Sequence, residues 1–137
     1  MIEIKRTSKL PSFFGGFNVG NAINDGHEKA GILIKRELVR GLTTGSRSGR
    51  IYVIRGKSHQ ASAAGEYPAK LSGKLAASVG YKVANKRLTI GESAEYASYL
   101  EIGTSKMAAR PHLRPAVDGN IKTVQKLVEQ EVGKVFK

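Results

Sequence analysis

The chain has 137 residues and a formal net charge of +12, from 23 Lys and Arg against 11 Asp and Glu. With 40% apolar residues it is one domain's worth of chain with enough to bury a core, which excludes wholesale disorder. It has no cysteine, which excludes a disulfide scaffold, a Cys-ligated zinc site and a cysteine nucleophile.

In chain order, Ile2 and Ile4 alternate with Glu3 and Lys5, which predicts a short strand over residues 1–6. Pro11 and then Gly15-Gly16 break the chain. A first helix is expected from near Asn18, a good N-cap type, to Gly41 or Gly45. Its apolar stripe is Val19, Ile23, Ala30, Ile34, Leu38 and Leu42, with His27 on or beside it. Gly20, Gly26 and Gly31 each cost this helix about 1 kcal/mol relative to Ala. Either the helix is irregular or another backbone packs closely on it.

Residues 43–70 read as a long excursion within the single domain 1–137. In its middle Arg50-Ile51-Tyr52-Val53-Ile54-Arg55 forms a β-branched and aromatic strand bracketed by arginines. The expectation is an extended hairpin or flap, poorly ordered in the free subunit. A short helix follows within 69–78, with Leu71, Leu75 and Ser78 on one side. Two strands come next, over Val79–Val83 and Leu88–Gly91, with Asn85 and Lys86 at their turn. Ala94 to Ile102 reads as a short helix ended by Gly103. Pro111 and Pro115 predict an extended 106–114. One last helix is expected from Pro115, with Val117, Ile121, Val124, Val128, Val132 and Val135 on its apolar face and Leu127 and Phe136 widening it. The whole reads as an α+β fold, a small, mostly antiparallel sheet covered by a long N-terminal and a long C-terminal helix, with an extended basic hairpin.

The charge is concentrated. Residues 35–87 carry twelve Lys and Arg against only Glu37 and Glu66, a net of +10. Such a block repels itself unless an anionic partner neutralises it, or else it is a solvated face that aids solubility. Neither a signal-peptide-length apolar region nor a spanning segment is apparent, so the chain reads as soluble and retained where it is made, with no membrane partner.

His27, His59 and His112 lack metal-ligand companions at helical spacing and read as satisfied or solvent-exposed side chains, so no metal or cofactor is expected. Lys74 follows Gly73, but the rest of a phosphate loop is missing. Glu92, Glu95 and Glu101 read as solvated or structural carboxylates, and the expectation is no catalysis.

The most informative stretch runs Tyr96-Ala97-Ser98-Tyr99-Leu100-Glu101-Ile102-Gly103-Thr104, then Lys106-Met107-Ala108-Ala109-Arg110-Pro111-His112-Leu113-Arg114-Pro115-Ala116. It closely resembles the signature of the small tail-completion, or neck, proteins of long-tailed bacteriophages (siphophages), neighbours of the tail terminators. A weaker upstream likeness runs through Arg50-Ile51-Tyr52, then His59-Gln60-Ala61-Ser62-Ala63-Ala64-Gly65-Glu66-Tyr67-Pro68-Ala69, then Leu71-Ser72-Gly73-Lys74-Leu75-Ala76-Ala77-Ser78-Val79. There Tyr67 stands where the family has Pro, and Leu71-Ser72-Gly73 where it has Asp-Thr-Gly. The likeness spans residues 50–136.

The resemblance implies a structural virion protein of the head–tail junction, made in the host cytoplasm. It implies a homo-oligomeric ring, usually a hexamer, between the head connector or stopper and the tail tube or tail terminator, with double-stranded DNA passing through. Tyr96, Tyr99, Glu101, Gly103, Thr104, Lys106, Met107, Arg110, Pro111 and Arg114 would then form the subunit or neighbour interface. Two readings of this motif stand: a subunit contact, or an intrasubunit turn fixing the last helix to the sheet. Tyr96 and Tyr99 share a face and are expected to bury their rings, and Glu101 to pair with Lys106, Arg110 or Arg114. Arg47, Arg50, Arg55 and Lys57, clustered in the excursion, are expected to face the lumen and its DNA, or an acidic partner ring. The competing reading is a sequence-nonspecific basic nucleic-acid-binding module.

Overall fold

The computed structural model describes residues 2–4, 19–44, 47–68 and 73–136. Pro11, Gly15-Gly16, the Asn18 cap and Leu71 lie outside them. Helix α1 covers Val19–Thr44 and runs through Gly41 without ending there. Every member of the expected stripe is buried, together with His27. The glycines mark close packing. A Cβ on Gly26 would stand 2.6 Å from Val128 Cα, and one on Gly31 would stand 2.5 Å from the Tyr81 ring.

Among the described residues the strands form two antiparallel sheets. The first has the order β1 (Ile2–Ile4), β5 (Arg87–Glu92), β4 (Val79–Ala84). Its register sets Tyr81 opposite Ile90 and Val83 opposite Leu88. Leu88 and Ile90 are thereby on one face, and both are buried in the core with Ile34 and Leu38 of α1. Asn85 and Lys86 turn the chain with positive φ at both positions, the two-residue geometry whose twist suits a hairpin. The second sheet is the hairpin β2 (Ile51–Ile54) with β3 (Lys57–Gln60), closed by Arg55 and Gly56 in the same conformation.

The remaining elements are α2 (Lys74–Ala77), α3 (Ala97–Ile102), α4 (Leu113–Asp118) and α5 (Ile121–Val135). The fold is α+β as expected. Helix α1 covers the larger sheet, and α5 packs chiefly on α1, where Lys29 also bonds Glu131.

The single C-terminal helix of the sequence reading is two helices. They part at Gly119-Asn120, where the Asn120 amide donates to the Ala116 carbonyl at 2.7 Å and to Glu37 at 2.8 Å. Only Val124 of α5 is fully buried; Ile121 and Phe136 are exposed. The stretch expected to be extended ends earlier than Pro115, because α4 starts at Leu113. Pro115 lies in the first turn of α4, where a missing N–H removes no intrahelical bond.

Candidate functional site

The segment from α3 to α4 is built around one carboxylate. The Glu101 side chain accepts the backbone N–H of His112 at 2.9 Å, of Leu113 at 3.0 Å and of Arg114 at 2.9 Å. These are otherwise unpartnered donors of the α4 start, and Pro115 beyond them has none to satisfy. Burial raises the Glu101 pKa, but the bonds from His112, Arg114 and Leu113 outweigh it and the net shift is down. Gly103 makes the approach possible. It ends α3 at φ +84, and a Cβ there would stand 2.8 Å from the Ala109 nitrogen. Thr104 and Met107 then pair across a tight turn, and the Arg110 N–H returns to the Leu100 carbonyl at 2.7 Å.

His112 is 0% exposed. Its Nε2 lies 2.9 Å from Oε2 and 2.8 Å from Oε1 of Glu92, whose side chain is also buried. Its Nδ1 lies 3.0 Å from the Arg110 carbonyl and 3.2 Å from Glu101 Oε2. The ring nitrogens face a carboxyl group on one side and a carbonyl and a second carboxyl on the other, an arrangement that favours the imidazolium. Burial lowers its pKa, but the Glu92 hydrogen bond, the Arg110 carbonyl and the two negative charges raise it further, and the net shift is up. The imidazolium joins the end of β5 to the start of α4. With both nitrogens engaged and no exposed surface, it holds structure and presents no atom to solvent.

Arg110 reaches the other way. Its Nε and Nη2 donate to the Ser62 carbonyl at 3.2 and 3.0 Å, just beyond β3. The two legs of the hairpin are tied here: Gly49 N–H donates to Ala61 O at 2.9 Å and Ala61 N–H to Arg50 O at 3.0 Å. Glu66 bridges them as well. It accepts from the Ser48 hydroxyl and N–H and from the Ala63 N–H, and these bonds, led by the Ser48 hydroxyl, lower its pKa. The hairpin is thus an arm with a fixed root. Beyond the root it is bare: Ile51 is 64% and Val53 73% exposed, with Tyr52 and Ile54 exposed on the other face.

The motif residues divide into two groups. Glu101, Gly103, Arg110 and Pro111 lie within or beside the α3–α4 joint, which matches the intrasubunit reading of the motif. Tyr96, Tyr99, Thr104, Lys106 and Arg114 are exposed, with Met107 half-buried. The expected burial of both tyrosine rings is not found within the subunit, because the six-residue α3 buries only Ala97; Tyr99 is 58% and Ile102 78% exposed. Glu101 makes none of the expected ion pairs with Lys106, Arg110 or Arg114, because its oxygens are taken by backbone N–H groups and His112. Arg47, Arg50, Arg55 and Lys57 are exposed along the hairpin and its approach, with no carboxylate within ion-pair distance among the described residues.

Sequence reasoning missed Glu92 as the partner of His112, and Ser62 and Glu66 as the hairpin root. Only the His beside Pro111 pointed there, and its partners are 20 and 11 residues away, outside any local spacing. Among the described residues no group of His, Asp and Glu side chains could hold a metal ion, and no helix is long and apolar enough to cross a membrane.

Between the hairpin face carrying Tyr52, Ile54 and His59 and the segment carrying Tyr96, Leu100 and Met107 lies a cleft of about 820 Å³. No family model, curated protein or solved structure matches the chain.

Proposed function

We propose that the protein is a structural subunit of a bacteriophage head–tail junction, a neck or tail-completion component that assembles with copies of itself into a ring around the DNA channel. The observation that carries the reading is the bare hairpin. Two-stranded hairpins are marginal in water on their own, yet this one is rooted by Arg110 and Glu66 and holds four apolar residues out to solvent. Such an arm is suited to lie against a neighbour. The resemblance of residues 96–116 to the neck proteins supplies the setting. The test is deletion of the gene from its phage, with electron microscopy of the lysate. DNA-filled heads beside separate tails support the reading; normal infectious particles overturn it.

The exposed cations Arg47, Arg50, Arg55 and Lys57, without a carboxylate in ion-pair distance among the described residues, favour a second reading, a nucleic-acid-binding module without sequence preference. It requires the free subunit to bind DNA with an affinity that falls steeply with salt. A ring component binds weakly until many copies act together. Gel shifts at two salt concentrations separate the two.

A further inference from the structure

We infer that the cleft under the hairpin is a docking groove for an acidic peptide segment with apolar anchor residues, contributed by a partner protein. The inference rests on the proposed function only in treating the arm as a protein contact. A binding selection on the purified chain needs no particle, so the two fail separately.

The floor of the cleft is aliphatic, formed by Leu42, Pro68, Leu75, Ala76 and Leu100. The cleft is in the range of sites that engulf a ligand and has room for several side chains. Its walls differ. On one side the hairpin presents Tyr52 and Ile54, which lie on the same face of β2, with His59 directly opposite Tyr52. On the other side Tyr96 and Met107 carry a hydroxyl and an adaptable thioether.

The charged side chains that line this apolar floor share one sign, with Glu66 near Arg110 at the hairpin root. Among the described residues Lys74, Lys106 and Arg110 line the cleft and no Asp or Glu does. Lys57 and Arg55 are at the hairpin tip, beside the lining residue Ile54 in the strand register. The basic block of a second copy, net +10 over residues 35–87, would meet that rim with like charge. An acidic segment meets it with complementary charge, while its apolar side chains enter the floor.

A nucleic acid fits the same rim less well. Strand binding without sequence preference relies on successive bases stacking on aromatic faces. Among the described residues the aromatic rings that line the cleft besides His59 are Tyr52 and Tyr96, and aliphatic carbon makes up its base.

The experiment is selection from a displayed random dodecapeptide library on the immobilised full chain, followed by anisotropy titration of labelled winners. Expected winners carry excess Asp and Glu around at least two large apolar residues. Their affinity falls by about tenfold or more in Lys106→Glu and in Ile54→Asp, and is unchanged in Lys122→Glu on exposed α5. All three residues are exposed, and circular dichroism checks that each variant is folded. Failure to enrich any peptide above bare support overturns the inference. So do winners without acidic excess, and so does binding that ignores both cleft substitutions. Displacement of the winners by single-stranded oligothymidylate at lower concentration than by the unlabelled peptide assigns the groove to nucleic acid instead.

Discussion

Arg110 and Ser62 are 48 residues apart in sequence, and the guanidinium of one holds the carbonyl of the other through two nitrogens at 3.2 and 3.0 Å. Through this contact the α3–α4 joint sets the angle of the hairpin arm. A loop that could wave is given a direction by a residue in a different part of the chain.

Arg110→Lys keeps the charge and loses the fork. The expected result is faster hydrogen exchange at the Gly49 and Ala61 amides, with stability lower by about 1–3 kcal/mol. Exchange mass spectrometry and urea melts read both. Unchanged exchange would show that Glu66 and the Gly49–Ala61 and Ala61–Arg50 backbone bonds hold the root without it.

Glu101→Gln preserves size and removes the charge that three backbone N–H groups share. One amide oxygen then serves the α4 start, and the amide nitrogen meets donors. A loss of about 1–3 kcal/mol is expected, seen as a lower thermal midpoint.

Stability should pass through a maximum in mildly acidic solution. The folded pKa of His112 lies above its ordinary 6.5, so its contribution is complete below that value and is lost as pH rises through the raised one. The folded pKa of Glu101 lies below its ordinary 4.5, so its contribution is complete above that value and is lost as pH falls through the lowered one. Urea midpoints measured across this range should fall on both sides. His112→Gln should flatten the alkaline limb and leave the acid limb due to Glu101. An alkaline limb that survives the substitution would assign it to another group.

Two glycines give opposite signs. Gly26→Ala puts a methyl 2.6 Å from Val128 Cα, which is backbone and cannot swing away. It should separate α1 from α5 and cost about 1–3 kcal/mol. Gly133→Ala meets nothing within 4 Å on α5 and should stabilise by up to about 1 kcal/mol through helix propensity. Thermal melts of the pair test the packing of α5 on α1.

Helix α1 was legible because burial there follows a single period. The α1 stripe from Val19 to Leu42 is a 3.6-residue pattern, and every member is buried. The same regularity hid the break at Gly119-Asn120. Val117, Ile121 and Val124 keep their spacing across it, so the pattern continues where the backbone does not. The strands β2, β4 and β5 were readable from β-branched runs beside turn residues, whereas β3, Lys57-Ser58-His59-Gln60, has no such residue and was expected only as the other leg of a hairpin. The site was only half readable. Residues 96–116 stand out as a unit, but the roles within it depend on Glu92, Ser62 and Glu66, which tertiary folding brings from elsewhere. Tyr96 and Tyr99 share a helical face, but that spacing does not say whether a core lies beneath them; here solvent does.

Ile51-Tyr52-Val53-Ile54 is a short, β-prone, uncharged window whose strands keep open edges, the composition that seeds cross-β stacking. Arg50 and Arg55 flank it as gatekeepers, and their mutual repulsion between molecules keeps one window off the next. That protection is electrostatic and fades as the Debye length shrinks. Concentrated stocks are therefore best kept at low ionic strength, and clouding in strong salt is the expected sign that the gatekeepers have been silenced.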